Sequence, residues 1–247
     1  MRLVKIVLLG MAAVGLAAAQ GHGLGEHGRG FGFAAIGPWG RTPVTGAPYS
    51  AVEVRSFSQT LAGGNQITRQ EQTKVWRDSQ GRVRTEMAGP DGRVLVTVFD
   101  PVAGNVVRLD QEKQTALVRT FKAPGAGAPS NPRVRHAMGQ APGAATEDLG
   151  PTTVNGRAAT ATKITRTVPA GSIGNQQPIV STRTVWMSPE LKVPLQIISE
   201  DPRWGTSTVT LQNIVQAEPD PVLFQIPSGY AVVNAPRGHG RGPGMSE

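Results

Sequence analysis

The sequence predicts a mainly β protein, a single antiparallel sheet of about eleven strands, with a β-sandwich as the alternative. Three observations carry that expectation. Val, Ile and Thr dominate the stretches between Gly/Pro-rich segments. Turn-forming residues recur there at intervals of about ten. No window keeps a helical apolar period through three turns.

The first strands are expected near 51–60, 66–77, 82–88, 93–99, 105–110 and 115–120. Their connections, LAGGN, DSQG, GPDG, DPVAGN and DQEKQ, each supply Gly, Asn, Asp or Pro for a tight reversal. A strand at 152–154 then turns at Asn155-Gly156, a favoured two-residue hairpin dipeptide, into 158–168. After the loop PAGSIGNQQP come strands near 179–187, 193–200 and 206–215. Glu218-Pro219-Asp220-Pro221 begins a short helical turn before a last extended piece, FQIPSGYAVV. Connections this short make neighbours antiparallel.

The hairpin KVWRDSQGRVRTE, Lys74 to Glu86, places four basic side chains beside a tryptophan. With Asp78 to Gly81 as the turn, Arg77 faces Arg82, Trp76 faces Val83 and Val75 faces Arg84. Trp76, Val83, Thr85 and Met87 then share an apolar side. Arg77, Arg82 and Arg84 form a wet exterior offset by Glu71 and Glu86. A second unit echoes this one: Val185-Trp186 precedes Val193 at the spacing by which Val75-Trp76 precedes Val83.

Outside the strands, residues 1–19 read as a secretory signal. Arg2 and Lys5 form its positive start, Ile6 to Leu16 its apolar stretch, and Ala17 and Ala19 precede a cleavage expected ahead of Gln20. About eleven apolar residues are too few to span a bilayer, so the mature protein is expected not to cross the membrane. The 20–48 and 236–247 segments and a linker at 121–145 are rich in Gly, Pro and Ala and are expected to stay disordered. One β domain, 49–235, remains, interrupted by that linker. With no cysteine in the chain, it must hold together without disulfides.

The net charge of +8 suggests nucleic acid until the charges are located. Arg2 and Lys5 lie in the signal, Arg29 and Arg41 count against Glu26 in the 20–50 segment, and Lys122, Arg133 and Arg135 lie in the linker. In the tail, Arg237 and Arg241 count against Glu247. Of 25 basic and 17 acidic residues, 16 and 15 remain in the strand regions, a net of +1. Basicity therefore belongs to the segments outside the sheet. A nucleic-acid surface is excluded, and a weak, salt-screened contact of the tails with anionic envelope surfaces is expected instead.

Chemistry is read mostly from absences. His22, His27, His136 and His239 all fall in the Gly/Pro-rich segments, so the strand regions hold neither histidine nor cysteine. That removes Ser-His-Asp and Cys-His nucleophiles and most zinc sites. His22 and His27 beside Glu26 read as solvated tail rather than as metal ligands. Glu147-Asp148 and Glu200-Asp201 are adjacent on strands and so point to opposite faces. No nucleotide or hydrolase fingerprint is present. A non-catalytic protein without metal or cofactor is expected.

VWMSPELKVPLQI resembles the tryptophan strand, turn and Pro-Leu strand of the LolA/LolB-like superfamily of periplasmic lipoprotein carriers. RDSQGRVRTE, FDPVAGNVVRLDQEKQTA and EPDPVLFQIPSGY are similar to an uncharacterised family of bacterial exported proteins, over roughly Tyr49 to Val233. The superfamily resemblance implies an open half-barrel whose hollow face is apolar and holds acyl chains. The amphipathic helices that cover such a hollow have no counterpart in this sequence. RVLVTVF and VPLQII are apolar on both faces, and Trp76, Phe99, Trp186, Met187, Leu195 and Ile197 are the candidates to line the hollow. The expected function is a periplasmic or secreted binding or carrier module for a lipid or other apolar ligand. The alternative is a protein-interaction or sensory module that docks an envelope partner on a sheet edge or loop.

Overall fold

The computed structural model describes residues 43–89, 91–121 and 144–235. Contacts divide the chain into residues 1–30, which lie outside the described residues, and 31–247, to which everything below belongs. The signal, most of the 20–48 segment and the linker, the 236–247 tail and all four histidines also lie outside the described residues.

The expected strands form. They are β1 (Tyr49–Thr60), β2 (Gln66–Arg77), β3 (Val83–Ala88), β4 (Val94–Asp100), β5 (Asn105–Asp110) and β6 (Thr115–Thr120), then β7 (Ala144–Val154), β8 (Arg157–Val168), β9 (Ile179–Met187), β10 (Pro194–Asp201), β11 (Gly205–Val215) and β12 (Ala231–Asn234). The one 3-10 turn among the described residues, Pro221–Phe224, is capped by the Asp220 carboxylate, which accepts from the Val222 N–H. All twelve strands belong to one open, mostly antiparallel sheet, in the order β12-β6-β5-β4-β3-β2-β1-β11-β10-β9-β8-β7. Two meanders, β1–β6 and β7–β11, meet where β1 pairs with β11.

Two corrections concern the extent of the sheet. β7 starts at Ala144, inside the segment expected to be linker, and is eleven residues long rather than three. Its AATEDLGP portion is poor in β-branched residues and bulged between Asp148 and Gly150, so pairing with β8, not propensity, makes it a strand. The last extended piece is a twelfth strand, and it runs parallel to β6. The chain reaches it by crossing the sheet after β11, not by a short reversal.

The Lys74–Glu86 hairpin shows the largest departure. Its loop is Ser79-Gln80-Gly81, closed by the Asp78 N–H to the Arg82 carbonyl (3.1 Å) and the Gly81 N–H to the Asp78 carbonyl (3.1 Å), with Gly81 at φ 82°. This is a turn followed by a left-handed glycine that takes up one extra residue. Arg77 therefore pairs with Val83 and Trp76 with Arg84, one residue from the expected register. A slip of one flips every side chain across the sheet. Val75, Arg77, Val83 and Thr85 share one face, and Trp76, Arg84 and Glu86 the other. Arg77 and Arg84 are buried, not wet. The Asp78 carboxylate sets the loop by accepting from the Gln80 and Arg82 N–H groups and pairing with the Arg82 side chain. The echoing unit at Ser188–Val193 turns differently, through Lys192 at φ 55°. Because a β-carbon is strained there, Lys192→Gly is expected to raise stability by about 0.5–1 kcal/mol, read as a higher urea midpoint at unchanged slope.

Each face has its own core. On the Val75–Val83 face, Tyr49, Ala51, Phe99, Leu195 and Leu211 cluster with Leu191 and Val193 of the β9–β10 turn. These positions gather at one end of the strands, where β1, β3, β5, β8 and β10 start. On the Trp76 face, Val96, Val98, Val107, Leu109 and Ala116 pack under Phe224, with Leu223, Ile226 and Tyr230 around it. The 216–230 segment thus lies over strands β2–β6 as a strap. Ser79 donates to the Glu218 carboxylate from its N–H and hydroxyl, Arg82 sits 5.0 Å over the Phe224 ring, and Arg84 donates to the Leu223 carbonyl (2.9 Å).

Candidate functional site

Strands β4–β6 carry apolar residues on both faces, and the strap buries only one. On the other, Leu117 and Val233 share a cross-strand row with Thr97 and Arg108. Leu95 lies two residues from Thr97 on the same side of β4. Leu95, Leu117 and Val233 are each 40–49% exposed. They line an open hollow of about 710 Å³, a size that suits a small ligand. Its rim is ionic but self-neutralised. Arg93 pairs with Asp91 (3.4 Å) and reaches from the β3–β4 loop to Glu112 of the β5–β6 loop (3.1 Å), and Lys113 pairs with Asp110 (3.8 Å). Such exposed pairs add little stability; with Arg108 of the floor row counted, the lining holds equal numbers of basic and acidic side chains and so no net formal charge.

A second hollow, of about 380 Å³, lies on the same face of the other meander. One unbroken row across five strands supplies its floor: Phe57, Ser207, Ser199, Arg183 and Ile164. The next row adds Ser181 and Arg166. Trp204, in the β10–β11 turn and 58% exposed, stands at its edge. Burial pulls the Arg183 guanidinium below its ordinary range. Asp201 at the rim is held below the usual carboxylate range by Arg203, which donates to it through Nε (2.9 Å) and Nη2 (2.7 Å). Glu200 belongs to the opposite face, where it accepts from the Thr182 hydroxyl (2.8 Å) in the row Ser58, Thr206, Glu200, Thr182.

The six residues selected from sequence do not meet in one place. Phe99 and Leu195 are buried in the core shared with Tyr49 and Leu211, and Trp186 packs against it. Phe99 also stacks on Phe121 at 5.2 Å. Ile197 is buried, Met187 is half-buried opposite Pro194, and Trp76 packs on the other face beneath the strap. The residues that line the two hollows were missed because they read as ordinary strand alternation. The available signal was Leu95, Leu117 and Val232-Val233, apolar positions that the strand pattern leaves facing outward. Among the described residues, no group of three or more His, Cys, Asp or Glu is placed to hold a metal, and no helix is long and apolar enough to cross a membrane.

No protein-family model matches the chain, and no curated protein matches it. Solved structures do. The Pseudomonas aeruginosa MucA/MucB complex matches at 15% identity and a TM-score of 0.44, over 78% of this chain and 58% of that one. This chain therefore spans well under two thirds of that protein's length. The LolA-superfamily protein NE2245 from Nitrosomonas europaea matches at 9% identity and a TM-score of 0.34, over 78% and 94%. The Mycobacterium tuberculosis lipoprotein LppX matches at 15% identity and 0.29, over 70% and 88%. At these scores the likeness says nothing of what this chain binds.

Proposed function

We propose that the protein is an exported, non-catalytic binding module of the cell envelope that holds a lipid or other apolar ligand against the open face of β4–β6. The observation that carries this reading is the hollow over Leu95, Leu117 and Val233, an apolar surface left uncovered on strands whose other face is buried under the strap. Ligand sites are typically concave and largely apolar with a few polar groups at hand, as this hollow is. The signal-like start supports periplasmic or secreted localisation.

Docking of an envelope protein along a sheet edge is the competing reading, and the β7 edge opposes it. That strand is bulged at Asp148/Gly150, carries Glu147 and Asp148, and has Pro151 without an N–H to offer. These are features that discourage strand addition.

Two measurements test the proposal. Protein purified from an envelope fraction should release a stoichiometric apolar molecule on solvent extraction, identified by mass spectrometry. Purified protein should bind decanol, and Leu117→Glu should weaken that binding at least about tenfold, because an apolar contact is lost and a charge placed in the floor. Ligand-free protein whose decanol affinity is unchanged by Leu117→Glu would refute the assignment.

A further inference from the structure

We infer that the ligand held over Leu95, Leu117 and Val233 is an anionic amphiphile. Its apolar body lies on those residues, and its head group, carboxylate or phosphate, is taken by Arg108. The inference rests on the binding hollow of β4–β6 and adds the head group to it. Arg108 stands in the floor itself, between Thr97 and Leu117 in the row that ends at Val233. It is exposed, and among the described residues its side chain makes no ion pair or hydrogen bond. Arg93 and Lys113, the other two lining cations, are both engaged by acids of the rim.

The lining is neutral as a whole, but its charges are separated. Asp91, Arg93, Asp110, Glu112 and Lys113 pair with one another at the end where the β3–β4 and β5–β6 loops lie, and that group carries one acid in excess. The balancing charge is Arg108, two residues into β5 from Asp110. Arg119 adds a second cation on the side away from the loops. It lies two residues beyond Leu117 on the same face of β6, pairs with Val106 and is exposed. Among the described residues its side chain also makes no ion pair or hydrogen bond. Arg108 and Arg119 are diagonal neighbours across the β5–β6 ladder, with Cα atoms roughly 7–8 Å apart. Two like charges thus share one face with no acid committed to either. An anion between them removes that repulsion, and each guanidinium offers a planar fork suited to carboxylate or phosphate oxygens. The head group is therefore held away from the acidic loop end, with the apolar body across Leu117, Leu95 and Val233.

Calorimetric titration of the full chain at neutral pH compares decanoate, decyl phosphate, decanol, decyltrimethylammonium and inorganic phosphate. Decanoate or decyl phosphate should bind about fivefold or more tighter than decanol, with the excess lost at high salt. Whichever of the two binds better names the head group. Decyltrimethylammonium should bind no tighter than decanol. Arg108→Gln should bring the ratio of anion to decanol affinity down to about one. Arg69→Gln, which removes an exposed cation of β2 outside the hollow, should leave that ratio unchanged. Decanol binding that Leu117→Glu weakens, without any preference for the anions, would overturn the head-group assignment and leave the apolar hollow standing. Failure of every decyl compound to bind would remove the hollow as well. A preference that survives Arg108→Gln, or inorganic phosphate binding as tightly as decyl phosphate, would each overturn the inference.

Discussion

Replacing Arg77 by alanine should cost about 3–5 kcal/mol of stability, because it leaves buried carbonyls without a donor and empties the volume of a large buried side chain. Arg77 is fully buried at the end of β2. Its Nε and Nη2 donate to the Ala47 carbonyl at 3.0 and 2.6 Å, and Nη2 also donates to the Leu191 carbonyl at 2.5 Å. Its guanidinium lies 4.7 Å over the Tyr49 ring. One side chain thus ties the lead-in to β1, the end of β2 and the β9–β10 turn, which belong to different meanders. The site is strained electrostatically as well. Nη1 is buried without a hydrogen-bond partner, burial pulls the Arg77 guanidinium below its usual range, and the Tyr49 hydroxyl is pushed well above its own by the same burial.

Truncation to alanine leaves both buried carbonyls without this donor and opens a cavity. Arg77→Met keeps most of the volume and removes the buried charge, so it should cost less, about 1–3 kcal/mol. Urea unfolding of the two variants checks both values. A loss below about 1 kcal/mol for alanine would show that the tie is not structural.

Gly205→Ala should be nearly as damaging, at about 2–5 kcal/mol, the sum of backbone strain and a steric clash. Gly205 opens β11 at φ 88°, and a β-carbon there would lie 2.2 Å from the Ser58 carbonyl oxygen and 2.9 Å from the Gln59 Cα. Both obstacles are backbone, so neither can rotate away. The alanine must push β11 off β1 at the seam joining the two meanders, where Ser58 pairs with Thr206. Gly174→Ala is the matched control. It has the same positive φ, 83°, but nothing within 4 Å of the added carbon, and should cost only the strain of about 1–2 kcal/mol. Thermal or urea unfolding that showed equal losses for both would refute the close-approach account.

The limits of sequence reasoning show in the Lys74–Glu86 hairpin. Asp78 and Gly81 were recognisable as turn residues, yet the turn could equally close on four residues or on three with a glycine bulge. The difference is one residue, and it decides whether Arg77 meets water or the core. The same holds for the two hollows. Phe57, Ser207, Ser199, Arg183 and Ile164 are brought into one row only because β1 pairs with β11, residues about 150 positions apart whose partnership no local pattern encodes.

The positions of the strands apart from the first part of β7, the Asn155-Gly156 reversal (φ 50° and 76°), the Asp220-capped turn and the confinement of histidine to the Gly/Pro-rich segments were determined by the sequence itself. Each depends on neighbours a few residues apart, through side-chain alternation, turn propensity or capping. Tertiary structure alone decided the faces of the central hairpin, the parallel placement of β12, the strap over β2–β6 and the two hollows. Those features depend on register and strand order, and in a sheet a single residue of register, or one long-range pairing, reassigns what is buried and what can bind.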